Sequence, residues 1–200
     1  MKKRDFLNVS VLGAAASALA IPAPASARAK CRAAPGPALL TVSGRIGAGN
    51  RGPFDPALDQ MMAKQKISFE RAHALDFAAL AALPAVTIRP TLEYDAKPHT
   101  LEGPLLLDVV KACGSTIDDK TVFLLRAVDG YAAQVSASDA RKYRYIVSTH
   151  LDGKPMALGG LGPLWAVYDA DRFADRAAMP LPARFAACPW AIYHIEVRQG

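Results

Sequence analysis

Two Asp-Gly pairs, Asp129-Gly130 and Asp152-Gly153, each stand between runs of β-branched and aromatic residues. Asp-Gly favours the tight turn whose backbone matches the twist of two antiparallel strands, so each pair predicts a hairpin. "KTVFLLRAVDGYAAQVSASDARKY" therefore reads as strand, turn at Asp129-Gly130, strand, and a short helix capped by Ser136 or Ser138. "YRYIVSTHLDGKPM" repeats the strand and turn, and "GPLWAVYD" and "WAIYHIEVR" supply two further strands. Such turns leave no room for regular βαβ alternation. The fold class expected is α+β, with mixed, largely antiparallel sheets and a few short helices.

Upstream, "ALLTVSGRI" at Ala38 to Ile46 alternates as a strand, "GAGNRGPFDP" is a loop, and "KISFE" at Lys66 to Glu70 is expected as a second short strand. Asp76 can cap the helical run "FAALAALP", which stops at Pro84. "AVTIRPTLEYD" is extended, and Pro90 removes a backbone donor from it, so the strand is an edge or breaks there. "GPLLLDVVKACG", Gly103 to Gly114, is expected to be a helix with Pro104 in its first turn, a core face of Leu106, Val109, Val110 and Cys113, and Gly114 as its stop.

The beginning of the chain reads as a targeting segment. Residues 1–27 run from a basic start through an apolar, Ala-rich middle to small residues, the pattern of an export signal. Its apolar part, Val9 to Ile21, is shorter than the ~20 residues of a membrane span. Cleavage fits after Ala25-Ser26-Ala27, the favoured site, and after Ala27-Arg28-Ala29. Lys3-Arg4-Asp5-Phe6-Leu7 is one residue short of a twin-arginine signal, and a general secretory signal fits as well. Residues 28–37 form a Pro, Gly and Ala leader, and residues 38–200 the single domain. The expectation is a periplasmic protein with no stable membrane span after cleavage.

The whole chain carries a net charge of +6; Lys2, Lys3, Arg4 and Asp5 take a net +2 with them, leaving +4. The cations are scattered and not interleaved with aromatics, so nucleic acid is not an expected partner. Cys31, Cys113 and Cys188 are an odd number in a compartment that permits disulfides. Cys113 reads as a buried helix-end residue; Cys31 can pair with Cys188. No nucleophile elbow, phosphate-binding loop, zinc-protease motif or dinucleotide fingerprint is present, and His73, His99, His150 and His194 lack ligand spacing. No catalytic residue and no metal ligand is assigned.

The order of "LTVSGRI", "LPAVTIRPTLEYDAKPHTLEGPLLLDVV", "VDGYAAQVSASDA", "YIVSTHLDGKPM", "GPLWAVYD" and "WAIYHIEV" resembles the sulfite-oxidase-type molybdopterin-binding domain, above all its short exported members. The likeness runs from Leu39 to Val197. In that family a cysteine before the "G-x-P-L" helix gives molybdenum its thiolate; aligned without gaps, its place is taken by Thr91, whose hydroxyl is neither ionised nor soft. A basic residue of the late strand is replaced within Gly162-Pro163-Leu164-Trp165, and a lysine that holds the pterin phosphate within Cys188-Pro189-Trp190. The resemblance implies a cofactor pocket, with Arg89, Thr91, Glu93 and Arg126 as its polar candidates. Trp165 and Trp190 read as packing residues, Tyr131 and Tyr143 as anchors of the turn and short helix, and Asp139, Asp152 and Lys154 as caps and turns. The expected function is an oxidoreductase-type domain degenerate at its metal site, without the molybdenum cofactor, that binds a small ligand or a periplasmic redox partner. The alternative is an active molybdopterin-dependent oxidoreductase with no cysteine ligand.

Overall fold

In the computed structural model, which describes residues 36–200, the alternating run Ala38–Gly44 forms strand β1. The expectations for residues 1–27, for the leader up to residue 35 and for Cys31 lie outside the described residues. Next come α1 (Gln60–Lys64), β2 (Ala72–Asp76), α2 (Phe77–Ala81), β3 (Ala85–Ile88), β4 (Leu101–Pro104) and α3 (Leu106–Ala112). The second half supplies β5 (Thr121–Ala127), β6 (Ala132–Ser136), α4 (Ala137–Lys142), β7 (Ile146–Ser148), β8 (His150–Leu151) and β9 (Lys154–Pro155). β10 (Trp165–Val167), α5 (Ala174–Ala177) and β11 (Ile192–Gln199) complete the order, with 3-10 turns at Ala170–Arg172 and Leu181–Phe185.

The larger sheet runs β2-β1-β11-β5-β6. Only β1 and β11 are parallel there; the other neighbours are antiparallel. A four-stranded antiparallel sheet runs β3-β4-β8-β9, and β10 pairs with β7. The fold is α+β with mostly antiparallel sheets and few helices.

Alternation decides which side of the larger sheet is core. In β5, Phe123 and Leu125 point inward and are fully buried, while Val122, Leu124 and Arg126 point to the other face. Leu40, Val42, Ile195 and Val197 extend the inner face, which α3 covers with Leu106, Val109 and Val110. Cys113 is buried at the end of α3, and the backbone turns away at Gly114, whose φ of +77° suits a residue without Cβ.

The local signals hold. The Asp76 carboxylate accepts from the Ala79 amide at 2.7 Å at the start of α2, and the Ser136 hydroxyl accepts from Asp139 at 3.0 Å at the start of α4. Asp152 and Gly153 both have positive φ, 48° and 76°, as the tight hairpin between β8 and β9 demands. β3 stops before Pro90, as its missing donor requires.

Two expectations fail for tertiary reasons. Lys66–Glu70 is not a strand: it packs Ile67 and Phe69 over the outer face of the larger sheet, and the next strand begins at Ala72. Gly103 and Pro104 are strand, not helix, because β4 is held between β3 and the backbone of β7. A Cβ on Gly103 would lie 2.1 Å from the Val147 carbonyl oxygen, so this close approach needs glycine.

Candidate functional site

Beyond β3 the chain is tied down by carboxylates. The Arg89 amide donates to Asp169 Oδ2 at 3.3 Å, and the Thr91 amide donates to Asp171 Oδ2 at 2.7 Å. Arg184 donates from a terminal guanidinium nitrogen to Asp171 Oδ1 at 2.8 Å. Residues 89–91 are thereby fixed to the 170–172 turn and, through it, to the 181–185 turn. Thr91 and Pro98 then bridge, enclosing a loop that carries Glu93 and Tyr94. His99 braces this loop, with Nε2 3.0 Å from Asp95 and Nδ1 2.7 Å from Asp152. The hydrogen bonds to Asp152 and then Asp95 hold the imidazole above its ordinary pKa.

Under Glu93 and Tyr94 lies a pocket of about 240 Å³. The β5–β6 turn contributes Asp129 and Tyr131, and the segment before β11 contributes Phe185, Cys188 and Trp190. The hydroxyl of Tyr131 donates to the Ala186 carbonyl at 2.5 Å, and the Trp165 indole donates to the Cys188 carbonyl at 2.9 Å, so both walls are anchored. Burial pushes the Cys188 thiol up to about 12, which keeps it a neutral thiol at neutral pH. Trp165 is core, while Trp190 remains half-buried on the pocket wall.

The polar candidates therefore separate. Glu93 lines the pocket; Thr91 and Arg89 are on the adjoining segment, held by their amides to Asp171 and Asp169. Arg126 is elsewhere. Its neighbour Ala127 borders the pocket, but alternation turns the Arg126 side chain to the outer face of the larger sheet. There a guanidinium nitrogen donates to His194 Nδ1 at 3.0 Å and contacts Glu196 Oε2 at 2.8 Å. Ser43 Oγ is 2.9 Å from the other ring nitrogen, Nε2. Arg51 approaches the same layer, with its guanidinium over the Phe69 ring at 5.2 Å, and Phe69 stacks on His194 at 6.3 Å. Cys188 and Trp190 fall in the stretch where the resemblance puts its phosphate-holding lysine, whereas Asp129 and Tyr131 had no pocket signal in the sequence, because the wall joins three segments that are far apart in the chain.

The pocket's donor set does not fit molybdopterin. Its charged residues are the carboxylates of Glu93 and Asp129, and neither lysine, arginine nor histidine lines it. An anionic pterin phosphate needs cationic or amide partners. Burial keeps the Cys188 thiol protonated in the absence of a metal, and among the described residues no group of three or more His, Cys, Asp or Glu could hold a metal ion on protein ligands alone. The volume is below the ~300–1,000 Å³ usual for small-molecule and cofactor sites. No helix of the described residues is long and apolar enough to cross a membrane.

No family model matches the chain, and no curated protein matches it. Among solved structures it is similar to the sulfane dehydrogenase SoxCD from Paracoccus pantotrophus, with a TM-score of 0.51 and 9% identity. The match covers 80% of this chain and 38% of that one, so the chain spans well under half the length of this structural neighbour. At that identity the likeness shows a shared fold.

Proposed function

We propose that this chain is an exported binding domain on a sulfite-oxidase-type molybdopterin fold, working without the molybdenum cofactor and holding a small ligand in the pocket beneath Glu93. The order of sequence blocks and the fold shared with a sulfane dehydrogenase support the descent. The signal-like residues 1–27 support export to the periplasm. The observation that carries the loss of the cofactor is the pocket lining, two carboxylates with no cation, beside a segment where threonine stands at the thiolate position. Loss of the cofactor leaves a concave, anchored, partly aromatic site whose volume of about 240 Å³ suits only a compact ligand.

The test uses the full chain purified from the cells that export it. Molybdenum is measured by mass spectrometry and pterin by the fluorescence of its oxidised form. Both are expected to be far below one per chain. Native mass spectrometry is expected to show a small organic adduct on the unmodified protein that is missing from Ala186→Trp, whose larger side chain fills the pocket mouth. Stoichiometric molybdenum overturns the cofactor-free reading, and an adduct that survives Ala186→Trp overturns the assignment to this pocket.

A further inference from the structure

The residues lining the pocket select one class of ligand chemistry. Among the exposed large apolar residues, Tyr94 is 55% and Tyr131 48% exposed, and both flank this pocket. Tyr94, Tyr131, Phe185 and Trp190 together make the lining largely aromatic, a surface suited to holding a cation and its apolar body together. Asp129 Oδ1 accepts from the Tyr131 amide at 2.9 Å, which holds that carboxylate at the rim. Glu93 lines the same pocket from the loop braced by His99. With no lysine, arginine or histidine in the lining, nothing within the pocket neutralises the two carboxylates. An anionic ligand is repelled, and a bare metal ion lacks the ligand number it needs.

We propose that the ligand is a small organic ammonium compound, its positive nitrogen against Glu93 and Asp129 and its alkyl groups against Tyr94, Tyr131 and Trp190. This rests on the reading of the pocket as a ligand site. Burial of apolar surface on the aromatic wall supplies affinity, and the carboxylates supply selection for charge. A neutral compound of the same shape offers the two carboxylates no opposite charge.

The experiment is calorimetric titration of the full chain with choline chloride, with its neutral carbon analogue 3,3-dimethylbutan-1-ol, with glucose, and with inorganic phosphate. Choline is expected to bind at least tenfold more tightly than the other three. Glu93→Gln and Asp129→Asn are each expected to weaken it about tenfold, with circular dichroism unchanged. Tyr131→Phe removes only the hydroxyl anchor to Ala186 and is expected to change choline affinity little, whereas Tyr131→Leu removes the ring too and is expected to weaken choline severalfold. Equal binding of the neutral analogue, preference for glucose or phosphate, or no binding of choline overturns the ammonium assignment. The ligand-site reading survives those results so long as a native adduct still disappears in Ala186→Trp.

Discussion

The guanidinium of Arg126 donates to Nδ1 of His194 at 3.0 Å, and this fixes which ring nitrogen carries the proton. Arginine has no acceptor, so Nδ1 must offer its lone pair and the hydrogen sits on Nε2, from which it is donated to Ser43 Oγ at 2.9 Å. In a catalytic serine-histidine pair the ring accepts the serine proton instead. The arrangement has the right residue types and the opposite polarity.

Ser43 is therefore expected to be unreactive and structural. The unmodified protein should not be labelled by a fluorophosphonate probe. Ser43→Ala removes the acceptor for a buried N–H and should cost about 1–3 kcal/mol in urea unfolding. Labelling of Ser43 would show that the proton sits on the other nitrogen.

Stability should fall on mild acidification because of His194. Burial first, then the charge of Arg126, lower its pKa to about 4, with Arg51 and Arg198 acting in the same direction and Glu196 against them. The ring is neutral in the fold, whereas the unfolded chain takes up the proton near the ordinary value of about 6.5. The unfolded state thus binds more protons between those values. Stability is complete above pH ~6.5 and declines as pH falls towards 4, by on the order of 3 kcal/mol in total. His194→Gln should flatten the curve of unfolding free energy against pH in this window.

Gly103→Ala should be far more damaging than an ordinary substitution in a strand. The added carbon meets the Val147 carbonyl oxygen at 2.1 Å, a backbone atom that cannot swing aside. A loss of roughly 4 kcal/mol or more is expected, read as a lowered melting temperature or as insoluble protein. At Gly130, where an added Cβ meets nothing within 4 Å, the same change pays only for the positive φ.

Thiol chemistry offers a separate check. Burial pushes both Cys113 and Cys188 up to about 12, so on the order of one thiol in ten thousand is ionised near pH 8. In Cys31→Ser, a chromogenic disulfide reagent should react with neither cysteine until denaturant is added, then with both. Rapid native reaction of one thiol would mark a site that opens to solvent.

Residues whose partners are close in sequence were legible in advance. Asp76 and Ser136 cap the turns that immediately follow them, and Asp152-Gly153 needs only its own dihedrals to reverse the chain. Pro90 ends its strand by a missing donor. Arg126 was a different matter: its face depends on β5 lying antiparallel to β11, with Arg126 opposite His194, a register that no local pattern encodes. Gly103-Pro104 carries a good signal for starting a helix, yet its contact with Val147 keeps it extended. The pocket was the least legible feature, since Glu93, Asp129 and Trp190 come together only once both sheets and the 181–190 segment are in place.

The position of β11 sets the order of assembly. It lies between β1 and β5, so the first strand of the larger sheet meets its inner neighbour only after some 150 residues of intervening chain have been made. Until residues 192–199 emerge from the ribosome, β1 and β5 each present an unpaired edge, and a stalled or clipped chain is left with two sticky half-sheets. Removal of those eight residues should therefore yield aggregation and proteolysis rather than a shortened but working protein.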